Sequence, residues 1–298
     1  MLYQQIMQNK HKSVFVIVGY LLLFLGIGAA IGYLTMRNMV SGMIITGIVG
    51  GLYTWIMLSQ STEIVMRMNH AREINHKEQY PMIWNIVEDM SLVAKVPMPR
   101  IFIIEDASPN AFATGMSPEK SAVAVTTGLL AMLNREELEG VIAHEFGHIR
   151  NYDVRLQTVA VALGAVISML TQFTPYLFRG SSRRRDDENG SDGLQVIMLV
   201  FSLLAMILGP FVATLMQLAL SRNREYLADA TAVEFTRNPH GLISALRKIS
   251  AGPAMEQASR ESATLYIANP FKKGDEERDS WFSTHPSTAN RIKRLEKM

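Results

Sequence analysis

His144, Glu145 and His148 stand in a His-Glu-x-x-His pattern inside Val141-Ile142-Ala143-His144-Glu145-Phe146-Gly147-His148-Ile149. Side chains four apart on a helix leave from one face, so the two imidazoles can close on a single metal ion. Glu145 reaches the open side of such an ion, where a carboxylate can take a proton from water and hand it to a leaving amine. The spacing therefore points to zinc-assisted hydrolysis of an amide. A hydrolytic zinc site takes three protein ligands and keeps a fourth position for water, so one ligand must come from elsewhere. The chain has no cysteine, which leaves histidine or a carboxylate for that role.

Glu225 is the best candidate. It lies in Ser221-Arg222-Asn223-Arg224-Glu225-Tyr226-Leu227-Ala228-Asp229-Ala230. Asp229, one helical turn later, shares its face and can accept the outward N–H of a ligand histidine. Two histidines and one glutamate leave a dication with a net charge of about +1, which favours ionisation of water and polarises a carbonyl. The plainer reading of Glu225 is a surface carboxylate paired with Arg222 or Arg224. Among seven histidines, an accidental His-Glu-x-x-His is expected on the order of one per cent of the time. His11, His70, His76 and His240 sit in polar or flanking contexts and read as solvated. His285, in Thr284-His285-Pro286, is either an ordinary residue at a helix start or a donor to an oxyanion in a cleft.

These groups need rigid elements. Asn134 followed by Glu137 is a capping box, so a helix starts just ahead of the motif and runs to about Arg150. Leu138, Val141, Ile142 and Ile149 give it a core-facing side. Gln79 to Lys95 reads as an amphipathic helix with Ile83, Ile86, Val87 and Met90 on one face, stopped by Pro97 and Pro99. Arg100 to Glu105 and Ser121 to Thr127 read as strands. Between them, Pro109-Asn110-Ala111-Phe112-Ala113-Thr114-Gly115 suits an ordinary hairpin strand, or an edge strand along which another backbone can lie, with a charged turn at Ser117 to Lys120. A helix continues from Ser221 to about Phe235, Asn238-Pro239 opens another to about Ser250, and Pro286 starts a basic helix to Met298.

The apolar residues pool in four blocks. Val14 to Leu34 has no charge over about 21 positions, enough to span a bilayer as a helix; a cleavable signal peptide is the lesser alternative, since its apolar core is shorter. Met39 to Leu58 follows after only four residues, so the two form a tight hairpin, with Gly28 and Gly32 set against Gly47 and Gly51 at small-xxx-small spacing. The blocks Leu156 to Phe178 and Leu194 to Leu220 form a second pair. If it goes out and returns, His144, His148 and Glu225 finish on one side of the membrane. The domains expected are residues 1–58, an N-terminal transmembrane hairpin; 59–155, the first part of the catalytic domain; 156–220, the second hydrophobic hairpin; and 221–298, the second catalytic part. The net charge of +2 is too small to argue for nucleic acid, and the basic residues flank apolar blocks.

Taken together, the hairpin, the Asn110 stretch, the His144 motif, the second apolar pair and the Arg222 to Asp229 stretch resemble the HtpX family of membrane zinc metallopeptidases, relatives of the CAAX prenyl endopeptidases. The resemblance covers essentially the whole chain. It implies a mainly α fold with a small β-sheet: four hydrophobic membrane helices and a zincin-like (gluzincin) catalytic domain. It implies one zinc ion per chain on His144, His148 and Glu225, with Glu145 catalytic and Asp229 supporting a ligand. Asn110 and His285 would assist the oxyanion, with Arg222 a further candidate for substrate support. The site would face the cytoplasm of a bacterium at its plasma membrane, and act on membrane or misfolded polypeptides in quality control under stress. The alternatives are prenyl-protein processing and a non-catalytic scaffold in which zinc only pins two helices. Lys10, Lys12, Arg67, Arg72, Lys77, Arg150, Arg155, Arg222 and Arg224 favour that orientation, whereas Arg37 and the connector arginines Arg179, Arg183, Arg184 and Arg185 fall outside, and the connector opposes it unless the last two blocks only partly enter the bilayer or pack as a lid over the site. Oligomeric state is not legible in the sequence.

Overall fold

The computed structural model describes residues 2–162, 222–256, 258–259, 261–271 and 286–298. The last two apolar blocks beyond residue 162, the arginine-rich connector and His285 lie outside the described residues. The chain divides into two compact units: Met1–Ser13 with Gln60–Val159 and Gln217–Met298, and Val14–Ser59 with Ala160–Met216.

In the first unit, short elements lead into a four-stranded sheet. Helix α3 (Ser61–Met68) precedes β1 (Arg72–Ile74), and α4 (Pro81–Ala94) precedes β2 (Arg100–Ile104), β3 (Ala111–Gly115) and β4 (Ser121–Thr126). The sheet order is β1-β2-β4-β3, with β2 parallel to β4 and the other pairs antiparallel. The sequence carries no signal for β1, because three residues are too few to show a period of two. Helix α4 starts on Pro81, whose missing N–H costs nothing at a helix start, and stops at Lys95, which turns left-handed at φ 55°. Its buried face is Ile83, Ile86, Val87 and Met90, the set the periodicity selects.

The sheet hands the chain to α5 (Thr127–Met132), capped by Thr126, and then to α6 (Arg135–Arg150). The capping box at the start of α6 is complete: the Glu137 N–H donates to Asn134 Oδ1 at 2.9 Å, and the Asn134 N–H donates to Glu137 Oε2 at 2.9 Å. Helices α7 (Arg222–Thr236) and α8 (Pro239–Ala251) pack on α6. Two glycines set the α6–α8 approach. A Cβ on Gly140 would sit 2.7 Å from the Leu242 nitrogen, and one on Gly241 would sit 2.7 Å from the Glu136 carbonyl oxygen. The final helix α9 (Thr288–Leu295) starts two residues after Pro286, because Ser287 accepts the Asn290 N–H as its cap, and it ends at Leu295 rather than Met298.

In the second unit, the remainder of α1 (Leu2–Met36) and α2 (Met39–Ser59) are joined by Arg37, at φ 54°, and Asn38, whose Oδ1 accepts the N–H groups of Val40 and Ser41. Ile44, Ile48, Leu52 and Trp55 of α2 are exposed, as a lipid-facing surface requires. By length and composition, Met39–Ser59 qualifies among the described residues as a helix able to cross a membrane. The close crossing differs from the expected one. Gly32 lies against Gly42, where an added Cβ would be 2.7 Å from the Gly42 Cα, and Gly28 lies against Gly42 and Thr46. Gly47 instead meets Leu25, and Gly51 faces open space. The two-residue connection holds residues at nearly equal distances from the turn alongside one another, which puts Gly32 beside Gly42 rather than beside Gly47 or Gly51.

Candidate metal centre

Helix α6 presents His144, Glu145 and His148 from a length that is buried almost throughout. Helix α7 crosses it closely, because a Cβ on Gly147 would press to 3.2 Å from the Ala228 Cα and carbonyl oxygen. That approach brings Glu225 and Asp229 to the histidines. The Nε2 atoms of His144 and His148 are 3.1 Å apart, and Glu225 lies with its Oε2 at 3.7 Å from the first and its Oε1 at 3.6 Å from the second. Ligands held tetrahedrally at zinc's bond lengths are about 3.3 Å from one another. Two ring nitrogens so close, each turned to the same point, repel unless a proton or a cation lies between them. His144, His148 and Glu225 therefore form a group that can hold a metal ion.

The far side of each ring is fixed. The Nδ1 of His144 lies 3.0 Å from Asp229 Oδ1, and the Nδ1 of His148 lies 2.9 Å from Asp153 Oδ2. Each carboxylate selects the tautomer that leaves Nε2 as the ligand atom and raises its basicity. Asp229 is in turn gripped by Arg291, whose Nε donates to Oδ2 at 2.9 Å and whose Nη2 donates to Oδ1 at 2.6 Å. Arg291 is 2% exposed, and its Nη1 also donates to the Ile267 carbonyl at 3.0 Å. This two-point fork holds the carboxylate plane.

The electrostatics follow from burial and these pairs. Burial, with the Arg291 charge beside it, pushes His144 down to about 4 despite Asp229, so it stands neutral and ready to bind a metal. Burial also works against a charged His148, but the Asp153 hydrogen bond and the Glu225 carboxylate carry it up to about 9. A proton and a dication thus compete for that ring. Burial raises Asp229 too, yet the Arg291 charge and the His144 contact hold it below the usual carboxylate range. Glu145 is pushed up to about 7 by burial, with Glu225 adding to the rise while His148 and the backbone at Ala113 oppose it. Both Glu145 oxygens are buried without a well-formed hydrogen bond. A buried carboxylate left in that condition suits a group whose partner is a water or substrate proton.

The sequence-predicted residues divide clearly. His144, Glu145, His148, Glu225 and Asp229 are brought together. Asn110 is 1% exposed, and its side chain is engaged by the chain itself: Nδ2 donates to the Ala268 carbonyl at 3.0 Å, and Oδ1 accepts the Ala111 N–H at 3.1 Å. Arg222 is the first residue of α7, and His285 falls outside the described residues. Asp153 and Arg291 were missed. Asp153 lies just past the end of α6, where no helical spacing links it to His148. Arg291 sits in a run with Lys293 and Arg294 that reads as a solvated basic helix; its only distinguishing sign is Leu295, four residues on, marking the buried face.

The edge strand β3 runs beside this group. Thr126 donates its N–H to the Asn110 carbonyl, so by the alternation of an antiparallel pair Phe112 and Thr114 also bond across to β4, while Ala111, Ala113 and Gly115 turn their backbone groups outward. The Ala111 carbonyl accepts from Ile267, and the Gly115 N–H donates to Thr158 Oγ1. Ala113 lies between them, on the side of Glu145.

Comparison with known proteins finds relatives along the whole chain. Residues 77–298 match Peptidase family M48. The chain is 58% identical to "Protease HtpX homolog" of Ligilactobacillus salivarius and 56% identical to that of Levilactobacillus brevis, in each case over 100% of both chains. A slighter likeness, with TM-score 0.46 and 20% identity, covers 99% of this chain and 66% of the chain in the crystal structure of S. mikatae Ste24p. With its metal-ligand group, its apolar hairpin and full-length relatives at more than half identity, the chain belongs to peptidase family M48 as an HtpX-type membrane-bound zinc metalloprotease.

Proposed function

We propose that this protein is an endopeptidase that binds one zinc ion through His144, His148 and Glu225 and cuts membrane or misfolded polypeptides on the cytoplasmic face of a bacterial plasma membrane, as part of membrane-protein quality control. The observation that carries the reading is the convergence of both Nε2 atoms, 3.1 Å apart, beside a buried Glu145 whose oxygens lack a well-formed hydrogen bond. When bound, zinc supplies Lewis acidity to water and to the scissile carbonyl. Glu145 takes the proton of the attacking water and passes it to the leaving nitrogen. Its raised affinity for a proton suits both halves of that transfer, because a group titrating near the working pH can accept and release. Asp229 and Asp153 keep the two rings aimed. The substrate backbone lies extended along the outward edge of β3 at Ala113, where strand addition needs no particular side-chain sequence. That tolerance fits a protease for unfolded chains. The basic residues flanking the apolar blocks support the cytoplasmic orientation.

Glu145→Gln separates chemistry from binding. The variant keeps zinc, and its cleavage of casein in detergent falls by about 10²–10⁴-fold; His148→Ala loses both. Wild-type rates in the Glu145→Gln protein would remove Glu145 from the mechanism.

A further inference from the structure

The first turns of α1, ahead of the apolar block, belong to the same compact unit as the metal centre. Asn9 sits there, 6% exposed, although it lies in a polar segment that reads as a membrane flank. Its Nδ2 donates to Asp153 Oδ1 at 3.2 Å and to the Asn151 carbonyl at 3.3 Å. Asp153 is fully buried and gives its other oxygen, Oδ2, to His148 Nδ1 at 2.9 Å. Resting on the zinc reading above, we propose that Asn9 is a positioning residue of the metal centre: it locks the Asp153 carboxylate so that His148 is held in the ligand tautomer and direction, and this makes the N-terminal segment part of the active site.

The physical case rests on how a carboxylate turns. The terminal torsion of an aspartate is broad and two-fold, so one hydrogen bond leaves its plane free to swing. Asn9 supplies a second bond, on the opposite oxygen, and one amide group also ties Asp153 to the end of α6 through Asn151. With both oxygens held, Oδ2 stays on the line of the His148 N–H. His144 has the equivalent arrangement, in which Arg291 holds Asp229 by both oxygens. The two ligand histidines are thus braced alike, one from the C-terminal helix and one from the N-terminal helix. Without Asn9, Asp153 Oδ1 loses a partner in a site closed to solvent, and the carboxylate can turn away from His148 to find another.

The test uses the full chain in detergent and reads metal binding as well as cleavage. Asn9→Leu is close in size and has no donor; Asn9→Gln keeps one. Zinc affinity is measured by competition with a chelator, and ligand geometry by the visible absorption of the cobalt-substituted protein. Asn9→Leu is expected to weaken zinc by about 10-fold or more, in the range for a group that orients a ligand, and to shift the cobalt spectrum, with Asn9→Gln recovering part of both. In an Asp153→Asn background, the same Asn9 change is expected to alter affinity by less than about threefold, because two residues acting through one bond are not additive. If Asn9→Leu lowers only the melting temperature of the metal-free protein, with zinc affinity and cobalt spectrum unchanged, Asn9 merely ties the helix down and the proposal fails while the zinc reading stands. Full additivity with Asp153→Asn also overturns it. A wild-type protein that binds neither zinc nor cobalt overturns both.

Discussion

Arg291 shows how much of a candidate metal centre rests on a residue outside its candidate ligand set. Its guanidinium fork fixes Asp229, and Asp229 fixes His144. Arg291→Met keeps most of the bulk but strands a buried carboxylate, and removing one partner of a buried pair costs about 3–5 kcal/mol. The expected outcome is a lower unfolding midpoint and zinc weakened by about 10–100-fold, read by denaturation and chelator competition. Arg291→Lys should recover little of this, because an ammonium cannot match a carboxylate at two points. At this scale the sequence yields His144 and His148 as candidate ligands and Glu145 as the candidate base, since four-residue spacing on one helix is local geometry. It does not yield the role of Arg291, because Leu295, four residues on, marks the buried face of that helix without showing that the arginine on it meets Asp229.

Helix α6 is specified at its start as firmly as at its motif. Glu137 closes the capping box and, 4% exposed, also accepts from Ser244 Oγ at 2.6 Å and Lys248 Nζ at 2.7 Å on α8. Burial alone would raise its pKa, but these bonds, led by Lys248, hold it below the usual carboxylate range. A carboxyl whose folded pKa is depressed stabilises the fold above its unfolded value, near 4.5, and loses that contribution as pH falls through the folded value. Glu137→Gln is therefore expected to lower stability at pH 7 by about 1–3 kcal/mol, with the gap to wild type closing as the pH falls well below 4.5. Denaturant titration of both proteins at neutral pH and in that acid range measures it; a constant gap would show that charge is not involved. The cap itself is legible in the sequence as Asn134 followed by Glu137. The second use of Glu137, joining α6 to α8, is not, because its partners lie more than a hundred residues away.

Across the whole molecule, the catalytic unit is discontinuous, drawing on three separate stretches of chain. His144 and His148 come from one stretch, and Glu225, Asp229 and Arg291 from another. A zinc ion held by His144, His148 and Glu225 would then cross-link the folded state, and a ligand present at 1,000 times its dissociation constant adds about 4 kcal/mol. Removing zinc with a chelator is expected to lower the melting temperature in detergent, and restoring it to reverse the loss. In Glu225→Ala the shift on adding zinc should shrink sharply, and a shift as large as in wild type would place the third ligand elsewhere.

By itself the sequence determined what short-range physics controls: the His-Glu-x-x-His face, the caps at Asn134 and Asn238, strands β2 and β4 to within a residue, and apolar blocks long enough to span a bilayer. It also pointed to Glu225 and Asp229, which share a helix face and which the structure brings beside the two histidines. Tertiary structure alone decided which glycines meet in the hairpin, where the turn rather than the spacing sets Gly32 on Gly42. It alone placed Asp153 and Asn9 behind His148 and Arg291 behind Asp229. The reason is the same in each case. A helix pattern states which face is buried, whereas the partner that a buried polar group finds depends on how helices from distant parts of the chain are packed against one another.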